Sequence, residues 1–453
     1  MKFLTGGEGQ QVVCHKSASR EADPVRIRNR RYSPDERTGP KPARPRPQFN
    51  VWAFVLMEDE WRLRSYLHEC LALPLIVHRH LPKDVEELEE GKMADSHYMR
   101  RAIELAELGS GWVNPNPLVG AVVVKNGRVI GEGYHQRYGD PHAERNALLA
   151  ASESPEGSTL FVTLEPCCHT GKTPPCTQAI LEAKIARVVI GSDDPNPLNA
   201  GKGIEQLREA GLEVTTGFMR AECNKLNRIF FHYILSKTPY VMMKYAMTLD
   251  GKIATRTGSS KWITGPEARE DVHRIRGRYA AIMVGIGTVL ADDPLLNCRI
   301  EGGHSPLRVI CDSALRLPTE SRIVQTAPEI PTIIVTVSDD EVKAAALRAL
   351  GCEVLVQPTD QPRIDLPALM AYLGERGIDS VLLEGGGTLN WSALEAGIVN
   401  RVRCYIAPSI FGGKDALTPV GALGVALPFE AFSLSDMAVE RFGDDLCIEG
   451  EVQ

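Results

Sequence analysis

The segment PCCHTGKTPPC (residues 166–176) and the triplet HAE (residues 142–144) together have the composition of a catalytic zinc site. One imidazole and two thiolates leave the fourth tetrahedral position of zinc for water, and they come from His142, Cys167 and Cys176. The carboxylate of Glu144 is then free to move protons. A glutamate beside three His and Cys ligands is typical of zinc deaminases, which activate water against an amino-bearing ring carbon.

Two other interpretations of these cysteines are open. Cys168 or His169 could supply a fourth ligand and close the site to water, as in a structural zinc knuckle. The pairing of this histidine with a glutamate in the HAE triplet would have no structural purpose in such a closed site, which disfavours this interpretation. A disulfide is disfavoured because the chain has 11 cysteines, an odd number without a framework spacing. We therefore expect reduced cysteines and a cytoplasmic protein.

The amino-acid composition excludes several classes of protein. The chain has 453 residues, 43% of them hydrophobic, which is enough for two ordinary cores and a remainder. Its formal net charge of -7 argues against a nucleic-acid partner, because such proteins concentrate Lys and Arg to replace phosphate counterions. No apolar run reaches the roughly 18 residues of a membrane helix, and the first residues lack the apolar core of a signal peptide. We expect a soluble protein with no membrane partner.

Residues 1–92 differ in composition from the rest of the chain. Residues 16–47 are rich in Arg and Pro and poor in large apolar side chains, so burial cannot offset the entropy lost on ordering. Residues 52–81 are more apolar, and a helix or two is expected there. The string EEGK (residues 89–92) is what a purine-rich ribosome-binding sequence would encode. We expect 1–92 to be an extension that is either largely disordered or not translated natively, with Met93 as the natural start.

Residues 93–238 predict an α/β layered domain. Asp95 or Ser96 is expected to cap a first helix. A hairpin is predicted at 119–134, because Asn126-Gly127 supplies the positive φ angles of a type I′ turn. The other predicted strands are 159–164, 187–190 and 212–216. Two further helices are predicted to begin at His142 and at about Pro175, and two more are predicted at 204–210 and 220–236.

A second α/β domain is predicted at 239–453, with Pro239 at the boundary. The glycines at 385–387 follow a strand and precede a helix, so their amides could hold a phosphate or a dinucleotide, or could serve the turn alone. The absence of GxGxxG in a strand-turn-helix context disfavours a Rossmann site. Arg276 and Arg299 are candidates for a substrate phosphate, with solvated surface arginines as the alternative. The predicted strands are 240–246, 281–284, 307–311, 332–335, 353–356, 380–383 and 401–406, with helices at 266–276, 341–350 and 366–375.

Several motifs resemble those of one family. NPNPLVGAVVV, HAE, TLEPCCHTGKTPPC and DPNP are similar to the deaminase half of the bifunctional riboflavin biosynthesis deaminase and reductase family. The eight residues between Cys167 and Cys176 make this likeness specific, because cytidine and editing deaminases place two there. KYAMTLDGKIAT, SSKWITG, VGIGTVLADDPLLNCR and LLEGGGTLNW resemble the reductase half. The resemblance covers roughly residues 93–453.

The resemblance implies a cytidine-deaminase-like three-layer α/β/α domain followed by a dihydrofolate-reductase-like α/β domain. It implies Zn²⁺ in the first domain, with Glu144 as the catalytic proton carrier, and NADPH in the second. The family usually has Ser at the position of Cys168, but Cys167 keeps the family spacing and is the expected ligand. The implied reactions are hydrolytic deamination of a diamino-ribosylamino-pyrimidinone phosphate and NADPH-dependent reduction of its ribosyl to a ribityl chain.

Individual binding residues also follow from the resemblance alone. In the deaminase half the implied substrate contacts are His169, Lys172, Thr173 and Asn196. In the reductase half the implied NADPH contacts are Ala246, Trp262, Thr288, Asp292, Ser313, Gly385, Gly386, Gly387 and Thr388. The implied substrate contacts there are Lys244, Asp250, Ser260, Arg276, Leu296, Arg299 and Glu384. The expected partners are a phosphorylated pyrimidine and further copies of the chain in a homo-oligomer. The alternatives are a zinc deaminase of another nucleobase or nucleoside fused to an unrelated reductase, and an inactive zinc-stabilised scaffold.

Overall fold

The computed structural model describes residues 83–358 and 361–453. The predictions for residues 16–47 and 52–81 lie outside the described residues. Within the described ranges, no helix combines the length and the apolar character that crossing a membrane requires. All nine cysteines in these ranges are free thiols.

The first helix begins earlier than the sequence indicated. Helix α1 spans Lys83–Glu107, so Asp95 and Ser96 lie inside it and the prediction that one of them caps its start is wrong. The residues upstream are mostly good helix formers, which explains the longer helix. Asp95 instead accepts a hydrogen bond of 2.7 Å from Arg187. Met99 and Ala102 of this helix are fully buried against the first sheet.

The first sheet has five strands in the order β2-β1-β3-β4-β5. Strand β1 runs antiparallel to β2 and β3, whereas β3, β4 and β5 are parallel. The predicted turn is confirmed, with φ of 51° at Asn126 and 72° at Gly127. The strands are β1 (Gly120–Lys125), β2 (Arg128–Tyr134), β3 (Thr159–Leu164), β4 (Arg187–Ser192) and β5 (Glu213–Thr215).

Five further helices accompany this sheet: α2 (Ala143–Leu149), α3 (Cys176–Glu182), α4 (Lys202–Glu209), α5 (Arg220–Leu226) and α6 (Arg228–Ser236). The last two were expected as one helix, which is wrong. Asn227 interrupts the helix because its side chain forms hydrogen bonds with the backbone of Leu118, just before β1. Asn227 Oδ1 accepts from the Leu118 amide at 2.8 Å, and Nδ2 donates to the Leu118 carbonyl at 2.9 Å.

The second sheet has nine strands in the order β10-β9-β8-β7-β11-β6-β12-β14-β13. The seven strands from β10 to β12 are mutually parallel, and β13 and β14 form an antiparallel hairpin at the far edge. The hairpin was not predicted. The strands are β6 (Tyr240–Thr248), β7 (Ala281–Gly285), β8 (Leu307–Cys311), β9 (Thr332–Thr336), β10 (Glu353–Val356), β11 (Ser380–Leu383), β12 (Arg401–Ala407), β13 (Leu434–Phe442) and β14 (Asp445–Val452).

The central strands of this sheet are buried on both faces, as parallel sheets covered by helices are. Two hydrophobic cores lie on opposite faces, one containing Ile282 and Ile310 and the other Met283 and Val309. The helices are α7 (Pro266–Arg278), α8 (Ile286–Asp292), α9 (Arg322–Gln325), α10 (Glu341–Ala349), α11 (Leu366–Glu375) and α12 (Gly387–Glu395), with a 3₁₀ turn at Pro428–Glu430. The predicted α/β fold class is confirmed, and the carboxyl ends of the parallel strands are the natural place for a ligand.

Candidate active sites

Three side chains that are far apart in the sequence converge at one edge of the first sheet. The ligand atoms of His142, Cys167 and Cys176 all lie within 4.8 Å of one another. His142 Nδ1 is 3.4 Å from the Cys167 sulfur and 3.3 Å from the Cys176 sulfur. These separations suit three donors around one tetrahedral ion, and one nitrogen with two sulfurs is a donor set that zinc favours.

Local structure explains this convergence. His142 is the residue before α2, in extended conformation with φ of -73° and ψ of 165°. Cys176 is the first residue of α3, and Cys167 lies in the loop that leaves β3. The loop and α3 are tied together, because the Thr177 amide donates to the Cys167 carbonyl at 3.2 Å. Two helix starts and one strand end therefore enclose the candidate ion position.

Glu144 lies in the first turn of α2 and is only 3% exposed. Burial, together with the nearby Cys167 thiolate, raises the pKa of its carboxyl to about 7. A carboxyl with a pKa near neutral both accepts and returns a proton easily. Its position beside the three donors suits proton transfer rather than metal binding.

The alternative of a closed zinc knuckle finds no support among the described residues. The group of side chains able to share an ion contains His142, Cys167 and Cys176 alone. The Cys168 amide donates to Asn199 Oδ1 at 2.9 Å, which fixes this residue beside the site. His169 lines the adjoining cavity instead of completing the donor set. The fourth position around the ion is thus left to water or substrate.

The buried side chain of Glu165 supports the site and was not predicted from the sequence. It is 3% exposed and accepts from the backbone amides of Gly201 and Gly203, both at 3.0 Å. It also accepts from the amides of Asp194 at 3.2 Å and Ile204 at 3.3 Å. Four amides around one buried carboxylate fix the end of β3 against the start of α4. The only available signal was an acidic residue ending an apolar strand.

A cavity of about 310 Å³ opens beside these ligands. The four side chains expected to contact the deaminase substrate all line it, namely His169, Lys172, Thr173 and Asn196. Lys172 places its ammonium 3.8 Å from the ring centroid of Tyr138, an exposed aromatic side chain on the cavity wall. The structure therefore brings the predicted contacts together around one opening, with a positive charge at its rim.

The opposite wall contains residues that were quoted only as part of a motif. Pro115, Asn116 and Pro117 line the cavity together with the buried His135. Asn116 Nδ2 lies 3.1 Å from His135 Nε2, and the His135 ring centroid is 5.3 Å from that of His142. Burial lowers the pKa of His135. This wall thus places a second imidazole beside that of the candidate ligand His142.

In the second domain a cluster of charged side chains forms at the end of β11. Arg276 donates two hydrogen bonds to the Glu384 carboxylate, at 2.7 and 2.9 Å. Lys244 Nζ lies 2.9 Å from the same carboxylate. Burial opposes the charge on Glu384, but the positive charges of Arg276 and Lys244 outweigh it and hold its pKa well below the usual range. Two cations against one anion leave a net positive charge for a ligand.

Arg299 extends this positive region toward solvent. Arg276 donates to the Asn297 carbonyl at 3.3 Å, and Arg299 lies 3.4 Å from the Asn297 side-chain oxygen. Burial lowers the pKa of Arg299, and the charge of Arg276 lowers it further, so an anion there would relieve repulsion. Leu296 packs in the hydrophobic core, so a ligand contact from this residue would come from its backbone.

The glycine segment after β11 is tightly packed. A Cβ at Gly387 would lie 2.8 Å from the Thr418 carbonyl oxygen, and a Cβ at Gly385 would lie 2.8 Å from Asn390 Oδ1. Gly386 precedes α12, whose first amides are available to an anion. Thr288 reaches this segment, with Oγ1 3.6 Å from the Cβ position of Gly386, whereas Thr388 is exposed. Glycine at 385 and 387 is therefore required by the packing of the protein itself, and the segment leads directly into the start of α12.

The remaining predicted residues lie on β6, in the loop that follows β6, at the end of α8 and just after β8. Ser260 donates to Asp292 at 3.0 Å. Trp262 is 67% exposed, with the Arg269 guanidinium 4.8 Å from its ring centroid. Ala246 lies on β6 two residues beyond Lys244, and Ser313 follows β8. Asp250 follows β6 and accepts from Thr248 Oγ1 at 2.6 Å and from the Gly412 amide at 2.7 Å.

Comparison with protein families gives two matches. Residues 92–192 match the cytidine and deoxycytidylate deaminase zinc-binding region, and residues 239–448 match the RibD C-terminal domain. Among curated proteins, the riboflavin biosynthesis protein RibD of Actinobacillus pleuropneumoniae is 56% identical over 357 residues, covering 79% of this chain and 95% of that protein. The RibD protein of Escherichia coli is 39% identical, covering 79% of this chain and 99% of that one.

Solved structures agree with these matches. The Thermotoga maritima diaminohydroxyphosphoribosylaminopyrimidine deaminase/5-amino-6-(5-phosphoribosylamino)uracil reductase superposes with a TM-score of 0.71 at 40% identity. That match covers 80% of this chain and 100% of the Thermotoga chain. Acinetobacter baumannii RibD gives a TM-score of 0.71 at 36% identity, covering 80% of this chain and 99% of that one.

Replacing Glu165 with glutamine tests the role of the buried carboxylate. Glu165→Gln substitutes a donor group for one acceptor oxygen, so part of the four-amide arrangement is lost and the loop bearing Cys167 loosens. Loss of such outer interactions typically costs about 10- to 100-fold in metal affinity. Competition for zinc with a chromogenic chelator measures the effect. The exposed Glu182→Gln on α3 is the control, and equal affinity in both variants would show that Glu165 does not support the site.

Proposed function

The chain belongs to the RibD family of riboflavin biosynthesis proteins, and on this premise we propose which of its residues carry out the two reactions of the family. It is a bifunctional enzyme, a deaminase and a reductase, whose cofactors are Zn²⁺ and NADPH. We assign residues 93–238 to the deaminase unit and residues 239–453 to the reductase unit. Residues 1–92 are assigned to neither.

The deaminase assignment is carried by one observation: three zinc-type donors meet beside a buried glutamate in a cavity open to solvent. His142, Cys167 and Cys176 would hold the ion, which supplies a Lewis acid that activates water. Glu144 takes a proton from the attacking water and returns it to the departing amine. Its burial and its pKa near 7 suit both steps.

The substrate of this unit is proposed to be the diamino-ribosylamino-pyrimidinone phosphate, and its products are ammonia and a pyrimidinedione. Lys172 supplies a positive charge for the phosphoribosyl group, while His169, Thr173 and Asn196 supply polar contacts along the same cavity. The His169 Nδ1 atom is buried without a protein partner, which leaves it free to bond a ligand. Lys172 and Glu144 both line this cavity, and we place the phosphate at Lys172 and the pyrimidine ring beside Glu144.

In the reductase unit we propose that the glycine segment holds the phosphates of NADPH, which supplies the hydride that converts the ribosyl to the ribityl chain. The position of Gly386 directly before α12 supports this assignment, since backbone amides at a helix start favour a phosphate. Further contacts to the cofactor are assigned to Ala246, Trp262, Thr288, Asp292, Ser313, Gly386 and Thr388.

The substrate of the reductase unit is proposed to bind beside the charged cluster at the end of β11. Arg276 and Arg299 face the sugar phosphate, and Glu384 fixes Arg276 and Lys244 in place. The orientation of cofactor and sugar is the main contribution of the protein to such a transfer. Ser260, Leu296 and Asp250 are assigned to the same pocket.

The first test replaces the proposed proton carrier. Glu144→Gln removes the titrating carboxyl but keeps its size, so zinc binding and fold should remain while deamination falls by about 10²- to 10⁴-fold. Ammonia release from the pyrimidinone phosphate measures the effect, with zinc content determined on the same samples. The exposed Glu153→Gln is the control. Unchanged turnover would remove Glu144 from the mechanism, and no turnover in the unaltered chain would favour the scaffold alternative.

The second test separates substrate binding from cofactor binding in the reductase unit. Arg299→Ala should raise the KM for the phosphorylated substrate by about 10- to 100-fold, because a charge-assisted hydrogen bond contributes about 1.5–3 kcal/mol. The Kd for NADPH, measured by fluorescence titration, should be unchanged. Arg274→Ala, an exposed arginine 57% accessible on α7, is the control. A weakened NADPH complex with unaltered KM would assign Arg299 to the cofactor instead.

We further propose that the chain acts in the cytoplasm as a homo-oligomer and without a nucleic-acid partner. The free thiols support a reducing compartment. The edge strand β13 supports self-association, because it exposes the apolar side chains of Met437 and Val439 at 57% and 65%. Light scattering of the purified chain should give a multiple of its 49.7 kDa mass. A monomer at micromolar concentration would contradict the oligomer.

A further inference from the structure

The wall of the deaminase cavity formed by residues 115–117 is attached to the reductase unit. Asn114, the residue before this wall, directs its side-chain amide across the boundary between the two units. Its Nδ2 atom donates to both carboxylate oxygens of Asp379, at 2.8 and 2.7 Å. The two residues are separated by 265 positions in the sequence. The contact therefore exists only because the two units pack together.

Asp379 is held rigidly on its own side of the boundary. It is 1% exposed and immediately precedes β11. Its carbonyl oxygen accepts from the Tyr240 amide at 2.8 Å, and Ser380 Oγ donates to its carboxylate at 2.7 Å. Burial raises the pKa of Asp379, and the hydrogen bonds from Ser380 and Asn114 act against that rise. Asn114 thus contacts a fixed acceptor rather than a mobile surface carboxylate.

A short chain of contacts leads from Asn114 to the metal ligands. The Asn116 amide donates to the Val113 carbonyl at 2.8 Å, which closes the turn around Asn114. The Asn116 side chain lies 3.1 Å from His135 Nε2, and the His135 ring is 5.3 Å from the His142 ring. A shift of Asn114 would therefore move the cavity wall and the imidazole that packs against His142.

Neighbouring contacts make the boundary tight at this point. The hydroxyl of Tyr233, another cavity-lining residue, donates to the Gly374 carbonyl of the reductase unit at 3.0 Å. A Cβ at Gly111 would lie only 1.9 Å from the Gly277 carbonyl oxygen. The void beside Asn114 and Asp379 measures about 20 Å³, which is room for about one water molecule. Little space is available for Asn114 to find a different partner.

We propose that Asp379 is a positioning residue for deamination, supplied by the reductase unit: through Asn114 it fixes the wall at 115–117 and the imidazoles of His135 and His142. The inference rests on the proposed deaminase site. It makes the first reaction dependent on a carboxylate that belongs to the unit performing the second. Asp379 does not contact substrate or metal in this arrangement.

A double-mutant cycle on the full-length, zinc-loaded chain tests the proposal. Asp379→Ala and Asn114→Ala should each lower kcat/KM for deamination by about 10- to 100-fold, since small misplacements of a site have effects of this size. The double variant should be no slower than the slower single variant, because each change removes the same contact. Asp379→Asn keeps one acceptor oxygen and should recover part of the loss.

Further measurements separate positioning from general destabilisation. The melting temperature is measured for each variant, and reduction is assayed with the deaminated intermediate supplied directly. Asn400→Ala is the matched control, because its side chain also lies near the boundary, 3.5 Å from His232, and accepts from the Val241 amide at 2.7 Å. This control should lower the melting temperature without lowering kcat/KM for deamination.

The outcomes are distinct. Multiplicative losses in the double variant, or deamination by Asp379→Ala at the rate of the unaltered chain, would overturn the positioning role and leave the proposed function intact. A zinc-loaded unaltered chain that fails to deaminate would overturn the proposed function and this inference with it. Non-additive losses with recovery in Asp379→Asn would establish the coupling between the two units.

Discussion

The buried carboxylate of Glu165 is the constraint on which the deaminase site depends. Its four backbone donors lie at the turn after β4 and at the start of α4, so one side chain joins three segments of chain. Cys167 follows two residues later and is held by that arrangement. An unpaired carboxylate would be too costly to bury, so the surrounding amides and the charge require one another. This mutual requirement gives the loop that carries the candidate ligand Cys167 a defined position.

In the reductase unit a buried carboxylate is stabilised by charged side chains instead of backbone amides. Glu384 is 9% exposed at its side chain and is surrounded by Arg276 and Lys244, which are nearly as buried. Removing one member would leave an uncompensated charge, so the three form a unit. The two ion pairs to Glu384 stabilise the cluster. Its one excess positive charge favours the approach of an anion. Under the proposed assignment, the residues that stabilise this cluster also attract the substrate phosphate.

The two units share no strand pairing among the described residues, yet they meet through specific polar contacts. Asn114 with Asp379 and Tyr233 with Gly374 connect the wall of one cavity to the framework of the other domain. Close approach of backbone at Gly111 and Gly277 brings these groups into reach. If the proposed positioning role of Asp379 holds, fusion of the two units contributes directly to deamination.

The α/β class, most strand positions, the turn at Asn126-Gly127 and the three candidate zinc donors were predictable from the sequence, because local periodicity and residue spacing are short-range properties. The tertiary structure decided the rest. It extended α1 to Lys83, interrupted a helix at Asn227 and added the hairpin of β13 and β14. It also placed four backbone amides around Glu165 and brought Asn114 within hydrogen-bonding distance of Asp379. These depend on contacts between residues up to 265 positions apart, and packing alone decides which of many possible pairs form.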